Sequence, residues 1–413
     1  MRTLRLMTVS APLNCNAPLH GKRILLLVGG SIAAYKSPEI VRLLRAEGAE
    51  LRCVLSAAAS RFVTPLTLQA LSGEAPRQDL FAAEEEAAMD HIRLARWPDA
   101  LLYAPISANG LAKLALGLAD DLGSTVALAS RAPRYLAPAM NTAMWEHPAT
   151  QRHVAQLRTD GAYFIDPEQG VLACGENGAG RLAEPSRIVE HLRLGLGPQD
   201  WRGRRVLVSA GPTWEAIDPV RALTNRASGR QGFALAQAAA ERGARVVLVA
   251  GPCALPTPLG VQRHDVVSAQ EMLATILRIL EGGRYDLFLA NAAVADHRPT
   301  TSHAHKRRKG ELGESLAWIA NPDIVATVHE SPHRPRRIVA FAAETAPDIA
   351  SAAAKLRAKG ADVAIVNDVS EGAMGGNENA CTLVCGERVT SLPLQDKLCL
   401  SRALLRALDP CLR

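Results

Sequence analysis

An asparagine that follows a proline and a methionine is the first residue of this chain to suggest chemistry. Asn141 comes just after an apolar run that ends near Pro138 and is expected to form a buried strand. The side-chain amide offers both donors and an acceptor, and open α/β sheets bind ligands beyond the carboxyl ends of their strands. A turn capped by an asparagine fits the same residues equally well. The residues alone therefore leave a ligand contact and a turn cap both open.

A glycine turn and the serines that end predicted strands are the next candidates for binding. Gly30 and Ser31 lie between a predicted strand and a predicted helix, and Ser56 and Ser107 end two other strands of the same sheet. Backbone N–H groups and hydroxyls at such positions can hold a phosphate, aided by the helix dipole. The turn lacks the G-x-G-x-x-G spacing, so the dinucleotide fingerprint does not apply. A plain strand–helix connection is the alternative.

Proton transfer needs a titratable group, and the first half offers a histidine and a cysteine. His91 lies in the segment M-D-H-I-R-L, where an isolated histidine is more often a structural residue. Cys174 lies in a glycine-rich loop rather than in the apolar run that is usual for a buried structural cysteine. Such glycines give a loop the mobility that a lid needs. His91 therefore keeps two interpretations, whereas Cys174 favours a functional one.

Charged residues supply the candidates of the second half. A basic run at residues 303–312 contains Lys306, and Lys355 and Lys359 are four apart on one predicted helix face. A solvated surface or a nucleic-acid patch is the general explanation for such runs. Asp296 ends an apolar run and could simply cap a helix or a turn. These residues gain a specific meaning only from the motifs around them.

The elements that must position these residues form two successive α/β patterns. Predicted strands alternate with helices from residue 23 and again from residue 204, which indicates two doubly wound parallel sheets with right-handed crossovers. A segment with glycine and proline but no periodicity separates them. The expected division is a flexible N-terminal extension over residues 1–20, a domain over 21–194, a linker over 195–203 and a domain over 204–413.

Size and composition exclude several classes of protein. The 413 residues carry a net charge of +6, which suits anionic small ligands, and the aromatic content of 4% is low for stacking on single-stranded nucleic acid. The eight cysteines are scattered and lack the spacing of a zinc site, so reduced cytosolic thiols are expected. No apolar run is long enough to span a membrane, and Pro12 interrupts any signal peptide. We expect a cytoplasmic protein that binds neither nucleic acid nor membrane.

Motifs of the first half resemble those of the flavin-dependent cysteine decarboxylases. They are P-x-M-N-x-x-M-W around Asn141, S-A-N at residues 107–109, M-D-H-I-x-L around His91 and A-C-G-x-x-G-x-G-R around Cys174. The resemblance implies a flavodoxin-like domain that binds FMN. It implies His91 as the base, Asn141 as the ligand of the substrate carboxylate and Cys174 as the residue that returns a proton. The residues implied for FMN binding are Gly30, Ser31, Ser56, Ser107, Asn109 and Met140.

A long motif of the second half, A-G-P-T-x-E-x-x-D-P-V-R-x-x-x-N, resembles the signature of the phosphopantothenate–cysteine ligases. It implies a Rossmann-like domain in which Arg221 and Asn225 handle the acyl substrate and its activated form. The motif N-A-A-V-A-D implies that Asp296 serves the nucleotide or Mg2+, and the basic run implies Lys306 as a mobile catalytic lysine. Residues 227–230 are A-S-G-R where the family has S-S-G-K, which removes one hydroxyl and keeps the charge. The implied nucleotide pocket is completed by Asn321, Phe341, Lys355 and Lys359.

Over residues 22–400 the chain resembles the bifunctional bacterial phosphopantothenoylcysteine decarboxylase/phosphopantothenate–cysteine ligases of coenzyme A biosynthesis. The resemblance implies that 4′-phosphopantothenate and cysteine are joined through an acyl-cytidylate with CTP and Mg2+, and that the product is decarboxylated to 4′-phosphopantetheine with FMN. It also implies a homo-oligomer, a dodecamer of flavin-domain trimers and ligase-domain dimers. A flavin-binding regulatory protein is disfavoured because the candidate base and cysteine are both present. A nicotinamide oxidoreductase is disfavoured because the second half lacks G-x-G-x-x-G.

Overall fold

The computed structural model describes residues 5–8, 17–80, 90–173, 175–306, 308, 315–345, 348–368 and 375–412. The chain forms two compact units, Ala17–Gly197 and Pro198–Arg413. Strand β1, Arg5–Thr8, pairs with a strand of the second unit and belongs to that unit. Cys174, the predicted proton donor, lies outside the described residues.

A five-stranded parallel sheet forms the centre of the first unit. Its strands are β2 (Arg23–Val28), β3 (Glu50–Leu55), β4 (Ala100–Ile106), β5 (Arg134–Pro138) and β6 (Tyr163–Phe164). Their order is β3-β2-β4-β5-β6, and all neighbours are parallel. This is the flavodoxin-like order, whose ligand crevice lies where the order reverses, between β2 and β4. The predicted flavodoxin-like domain is confirmed.

Helices cover both faces of this sheet because both faces are apolar. Along β2, Leu26 and Val28 join one core cluster, while Leu25 and Leu27 join the other. Two 3-10 helices, Ile32–Lys36 and Ala59–Arg61, follow β2 and β3. The α-helices are α1 (Ser37–Ala46), α2 (Pro65–Ser72), α3 (Asp90–Arg96), α4 (Ala108–Leu116), α5 (Leu122–Ala129), α6 (Thr142–Glu146), α7 (Pro148–Thr159) and α8 (Pro185–Leu196).

An antiparallel hairpin stands apart from the sheet of the first unit. It consists of β7 (Glu168–Val171) and β8 (Asn177–Arg181). Met140 N donates to the Gly180 carbonyl at 2.9 Å, which attaches β8 to the segment that follows β5. The hairpin carries the glycine-rich loop in which the sequence predicted a lid.

A nine-stranded sheet forms the centre of the second unit, in the order β13-β12-β9-β14-β17-β18-β19-β20-β1. The run from β13 to β18 is parallel, β19 is antiparallel to both neighbours, and β1 is parallel to β20. The parallel part has the strand order of a Rossmann-like fold, with its switch point between β9 and β14. Besides β1, the strands of this sheet are β9 (Arg205–Ala210), β12 (Arg245–Ala250), β13 (Val261–Asp265), β14 (Leu287–Ala290), β17 (Arg337–Glu344), β18 (Val363–Asp368), β19 (Glu378–Cys385) and β20 (Arg388–Asp396). Two separate antiparallel pairs are β10 (Trp214–Ala216) with β11 (Ala222–Thr224), and β15 (His297–Pro299) with β16 (Trp318–Ala320).

The helices of the second unit pack on both faces of its sheet. On one face Leu207 of β9 and Phe288 of β14 pack with Met272 of a covering helix. A buried ion pair between Arg402 and Glu241, with Nε 2.8 Å from Oε2, joins two helices to each other. The helices are α9 (Arg230–Glu241), α10 (Ala269–Glu281), α11 (Ile324–Glu330), α12 (Ile349–Ala358) and α13 (Lys397–Leu408).

The division between the two units falls inside the expected linker, between Gly197 and Pro198. Helix α8 continues to Leu196, and the Trp201 side chain is buried with Nε1 3.0 Å from Asp409 Oδ1, so most of the expected linker is ordered. The first twenty residues are not a uniformly loose extension, because β1 pairs with β20 and Leu19 is buried. Glycine and proline content alone did not reveal these anchoring contacts, which are made to residues far along the chain.

Candidate active sites

The first candidate site lies at the switch point of the first unit, where the chain turns after β2. Gly29 N donates to the Pro105 carbonyl at 2.9 Å, and a Cβ on Gly29 would lie 2.6 Å from the same oxygen. A Cβ on Gly30 would lie well inside 3.0 Å of the Ala58 methyl. The turn therefore runs against the end of β4 and the loop that follows β3, and only glycine fits there without a shift. This close approach brings main-chain N–H groups to the ligand crevice.

The predicted serines surround the same edge of the sheet. Ser31, Ser56 and Ser107 follow the ends of β2, β3 and β4, and each Oγ accepts a main-chain N–H at 3.2–3.3 Å. A hydroxyl that accepts in this way keeps its own proton for donation to a ligand. Asn109 is exposed in the first turn of α4. The arrangement is thus a set of donors around the carboxyl ends of neighbouring strands.

Asn141 both caps a helix and contacts the hairpin. Its Oδ1 accepts from Ala143 N at 2.8 Å at the start of α6, and its Nδ2 donates to Glu176 Oε2 at 2.6 Å. Glu176 lies in the turn between β7 and β8. The turn-cap interpretation of the sequence is therefore correct for one atom of the amide. The other atom already holds a carboxylate, which shows that this amide can bind one.

Glycines let β8 lie directly against the segment that carries Asn141. A Cβ on Gly178 would lie 2.5 Å from Thr142 Oγ1, and a Cβ on Gly180 would collide with the Met140 carbonyl. Gly180 also has a φ of +140°, which residues other than glycine rarely adopt. These glycines therefore allow close packing of the hairpin, in addition to any mobility they give it.

A lysine beneath the glycine turn fixes the base of the hairpin. The Lys36 side chain is buried, and its Nζ lies 3.1 Å from both carboxylate oxygens of Glu184. Arg181 of β8 donates to the same carboxylate. Desolvation opposes ionisation of Glu184, but the Lys36 ammonium outweighs it and holds the pKa of Glu184 below its ordinary value. The glycine turn and the hairpin are thereby joined by an ion pair.

His91 lies on a different element from the other predicted residues of this site. It is half-buried in the first turn of α3, whose residues Leu94 and Ala95 pack in the core. Within the described residues of one chain, His91 and Asn141 do not form a hydrogen bond with each other. Its role as a base stays a prediction, as does that of Cys174.

The second candidate site is a cavity of about 800 Å³ at the switch point of the second unit. Segments after β9 and β14 line it, together with the end of β17 and one face of α12. The cavity brings together most of the residues that the sequence predicted for the nucleotide and the acyl substrate. These are Asn225, Asp296, Asn321, Phe341, Lys355 and Lys359.

Two asparagines hold the loop that follows β14. Asn225 Nδ2 donates to the carbonyls of Ala293 and Val294, both at 3.1 Å. Asn321 Nδ2 donates to the Ala295 carbonyl at 2.8 Å, and its backbone N donates to the Asp296 carbonyl at 2.8 Å. The motif N-A-A-V-A-D is therefore shaped from both sides by amides that are distant in sequence.

Several residues of the long motif after β9 have structural contacts. Thr213 Oγ1 accepts from Ala295 N at 3.0 Å, and Glu215 Oε1 accepts from Ala269 N at 3.0 Å. Asp218 is buried and accepts from Arg221 Nε and Nη2, at 2.9 and 2.5 Å. Arg221 is consequently held beside Asp218 and is not among the residues that line the cavity.

Carboxylates neutralise the two lysines of α12. Lys359 Nζ lies 2.8 Å from Asp323 Oδ2, and Lys355 Nζ lies 3.8 Å from Glu344 Oε1. Desolvation opposes ionisation of Asp323, but the hydrogen bond and charge of Lys359, together with main-chain N–H groups at the start of α11, outweigh it and lower the pKa of Asp323. Lys306 is exposed and does not line the cavity. Lys306 would have to move to reach the cavity, as its predicted mobility would allow.

Comparison with known proteins identifies the family of the chain. A family described as the DNA/pantothenate metabolism flavoprotein C-terminal domain matches residues 201–411, and the Flavoprotein family matches residues 13–194. The coenzyme A biosynthesis bifunctional protein CoaBC of Haemophilus influenzae is 46% identical over 383 residues, which cover 92% of this chain and 95% of that protein. The chain belongs to the CoaBC family.

Other CoaBC proteins are similar over comparable lengths. That of Escherichia coli K12 is 42% identical over 394 residues, or 94% of this chain and 96% of that protein. That of Bacillus subtilis is 39% identical over 395 residues, or 94% of this chain and 97% of that protein. The family's two-part organisation matches the two units observed here.

The sequence did not predict two residues of these candidate sites. Glu176 occupies a variable position of the cysteine motif, and Lys397 begins a helix without any motif, yet one contacts Asn141 and the other lines the cavity. No group of three or more potential metal-ligating side chains occurs among the described residues. None of the described helices combines the length and the apolar character needed to cross a bilayer.

Proposed function

We propose that this chain catalyses two consecutive reactions of coenzyme A synthesis. The second unit joins 4′-phosphopantothenate to cysteine with CTP, and the first unit decarboxylates the resulting phosphopantothenoylcysteine with FMN. The proposal depends chiefly on one observation: motif residues that are far apart in sequence line a single cavity at the switch point of the second unit. Membership of the CoaBC family supports the pairing of the two activities.

The first unit has the features that an FMN phosphate and ribityl chain require. The glycine turn after β2 would offer main-chain N–H groups, and Ser31, Ser56 and Ser107 would donate their hydroxyl protons. Bound FMN would supply a reversible two-electron oxidation of the substrate, which provides an acceptor for the electrons left by the departing CO2, and the same two electrons would return to the product at the end. Gly30, Asn109 and Met140 complete the proposed cofactor site.

The side chains around that site would bind the substrate and move its protons. Asn141 would release Glu176 and donate its amide N–H to the substrate carboxylate, as it now does to Glu176. His91 would accept a proton next to the substrate thiol, in an oligomer in which a neighbouring chain completes the site. Cys174 would return a proton at the end of the reaction. The hairpin that carries Glu176 would close over the bound substrate.

The second unit would first use CTP to activate the carboxylate of 4′-phosphopantothenate, and the amine of cysteine would then attack the activated carboxyl group. Lys306 would move to the cavity and stabilise the charge that develops at the α-phosphate of CTP. Asn225 would hold the acyl-cytidylate, and Arg221 would bind the acyl substrate after leaving Asp218. Asn321, Phe341, Lys355 and Lys359 would line the nucleotide pocket. Cysteine's amine then displaces CMP.

Magnesium would arrive with the nucleotide rather than occupy a preformed protein site. Mg2+ commonly uses one or two carboxylates together with substrate phosphates. Asp296 is an exposed carboxylate on the cavity wall, and among the described residues no cluster of three or more metal-ligating side chains surrounds it. A single carboxylate therefore fits a metal that is shared with CTP, and Asp296 is the proposed ligand.

A coupled assay tests the proposed function. The purified protein is supplied with 4′-phosphopantothenate, cysteine, CTP and Mg2+, and 4′-phosphopantetheine, CO2 and pyrophosphate are measured. We expect all three products in equal amounts. His91→Asn should stop CO2 release while pyrophosphate continues to form. If the wild-type protein binds FMN and CTP but forms none of these products, the proposed function is wrong.

We also propose that the chain works in the cytoplasm as a homo-oligomer, a dodecamer of flavin-unit trimers and ligase-unit dimers. Tyr35 and Leu66 of the first unit are 61% and 72% exposed, which leaves apolar surface for a neighbouring chain near the flavin turn. Native mass spectrometry distinguishes the dodecamer from a dimer or trimer. A monomer at micromolar concentration would contradict the proposal.

A further inference from the structure

A buried lysine at the end of the glycine turn faces a carboxylate at the base of the hairpin. Lys36 is the last residue of the 3-10 helix Ile32–Lys36, which begins directly after Ser31. Lys36 is only 8% exposed, and among the described residues its ammonium meets one carboxylate, that of Glu184, with Nζ 3.1 Å from both oxygens. Burying an ammonium group is costly unless a counter-charge compensates it. The placement of Lys36 therefore depends on Glu184.

Glu184 is also tied to both strands of the hairpin. Its carboxylate accepts from the Arg181 guanidinium of β8, and its main-chain N donates to Glu168 Oε1 of β7 at 3.1 Å. Leu182 and Ala183, which connect β8 to Glu184, are buried in the core of the first unit. One residue thus holds the two strands of the hairpin on one side and the helix after the glycine turn on the other.

The hairpin in turn contacts the segment that carries Asn141. The Gly180 carbonyl of β8 accepts from Met140 N, and Glu176 in the hairpin turn accepts from the Asn141 amide. A change in the position of the hairpin therefore changes the surroundings of the side chain that is proposed to bind the substrate carboxylate. Because Glu184 would act on this site through the hairpin, it is a positioning residue and not a catalytic one.

The short helix between the glycine turn and the ion pair can transmit a restraint from one to the other. Ser31 caps this helix, since its Oγ accepts from Ala33 N at 3.3 Å. The helix has five residues, and Ala33 and Ala34 are buried within it. A ligand that holds Ser31 and the main chain of the turn therefore restrains the first turn of the helix, and the last residue of the helix is Lys36.

We propose that the Lys36–Glu184 ion pair couples the binding of FMN at the glycine turn to the docking of the hairpin. Bound FMN would restrain the lysine on which the hairpin docks, and the docked hairpin would stabilise the turn that binds FMN. Coupling of this kind is reciprocal, so each event strengthens the other by the same factor. The inference rests on the proposed function for the identity of the ligand at the turn, which is FMN.

Hydrogen exchange of the full-length apoprotein, measured with and without saturating FMN, tests the coupling. In the wild type FMN should slow exchange of the hairpin amides by about 5-fold or more, which is the lower end of typical coupling between sites. Glu184→Gln keeps the size of the side chain and removes its charge. This variant should lose the response of the hairpin, while FMN still slows exchange in the glycine turn.

Reciprocity supplies a second readout, the affinity for FMN measured by quenching of flavin fluorescence. Glu184→Gln should weaken FMN binding by the same factor by which FMN slows hairpin exchange in the wild type. Lys36→Met should have the same effect, and combining it with Glu184→Gln should add little, because both changes remove one interaction. Glu184→Asp keeps the charge and should recover part of the coupling. Glu190→Gln is the matched control, because it removes a carboxylate that pairs with Arg187 on the same helix, α8.

An ion pair with a purely structural role makes a different prediction. Its loss lowers the melting temperature and speeds hairpin exchange by the same factor with and without FMN. A wild-type response to FMN in the hairpin of Glu184→Gln, or a wild type that binds FMN without any response of the hairpin, would overturn the coupling and leave the proposed function standing.

The remaining outcomes separate the inference from the proposed function. A wild type that binds no FMN overturns both. If the hairpin responds to FMN as expected but the coupled assay yields no CO2, the coupling is supported and the proposed decarboxylase function fails.

Discussion

The substitution Gly30→Ala should weaken flavin binding without unfolding the first unit. Gly30 follows β2 at the proposed phosphate turn, and its φ is not positive, so alanine is compatible with the backbone conformation. The perturbation is therefore the added methyl group alone. That methyl would lie well inside 3.0 Å of the Ala58 Cβ and 3.3 Å from the Ala58 Cα.

The expected magnitude follows from how far the turn must move. Carbon atoms in contact lie about 3.5–4.0 Å apart, so the turn must shift by about 1–1.5 Å. Overpacking of this kind costs about 1–3 kcal/mol of stability. The same shift takes an N–H···O contact of about 2.9 Å out of hydrogen-bond range. Losing one bond to a charged phosphate weakens FMN binding by about 10- to 150-fold.

Quenching of flavin fluorescence, as FMN is added to apoprotein, measures this change. Gly123→Ala is the matched control, because its Cβ would make an ordinary contact, 3.4 Å from Asp121 Oδ1. Adding Ala58→Gly to Gly30→Ala removes the methyl that causes the collision and should restore much of the affinity. Wild-type affinity in Gly30→Ala, or no recovery in the double variant, would refute the assignment of this turn to the phosphate.

Glu176→Ala should lower the KM for phosphopantothenoylcysteine by about 3- to 10-fold, because an exposed carboxylate no longer competes for the Asn141 amide. Affinity for the product, which has no carboxylate, should stay the same, and a raised KM would contradict this competition. Lys306→Gln should slow pyrophosphate release from CTP and 4′-phosphopantothenate, measured without cysteine, by about 10²- to 10³-fold. A wild-type rate would show that the basic run is a solvated surface segment. The Arg242 guanidinium lowers the pKa of Asp200 in the folded protein. This ion pair therefore stabilises the second unit fully above about pH 3.9, and the stabilisation is lost as the pH falls through the lower pKa that Asp200 has in the folded state. Urea midpoints at pH 6 and pH 3.5 should therefore differ less in Asp200→Asn than in the wild type, and equal differences would refute this source of acid sensitivity.

The sequence predicted the positions of residues at strand ends better than the contacts between distant segments. Strand–turn patterns placed Gly30 and Ser107 at the carboxyl edge of the first sheet and Asp296 at the carboxyl edge of the second, because parallel strands bring their carboxyl ends together. Lys397 escaped prediction because no motif contains it, although the fold brings it to the cavity beside residues from far earlier in the chain. No local pattern marks such a position.

The same reasoning explains why the sequence did not reveal what anchors the expected linker. Trp201 looked like part of a linker because its neighbours include glycine and proline, but its indole donates to Asp409 near the other end of the unit. Asn141 Oδ1 makes the turn cap that the sequence allowed, whereas Nδ2 contacts Glu176, and a substrate contact by this amide stays a prediction. Sequence patterns describe backbone positions well, whereas the partner of a polar atom depends on the assembled fold.

The parallel pairing of β1 with β20 has a consequence for dissecting the protein. Because β1 precedes the first unit in the chain and belongs to the sheet of the second, the first unit is an insertion between two strands of one sheet. A fragment starting at Pro198 would lack β1 and expose the main-chain groups of Arg388–Ser391 that β1 now pairs. Unpaired edge strands invite association with other chains. Separate expression of the second unit should therefore yield an aggregation-prone protein, and fusing residues 1–16 to it through a short linker should restore its solubility.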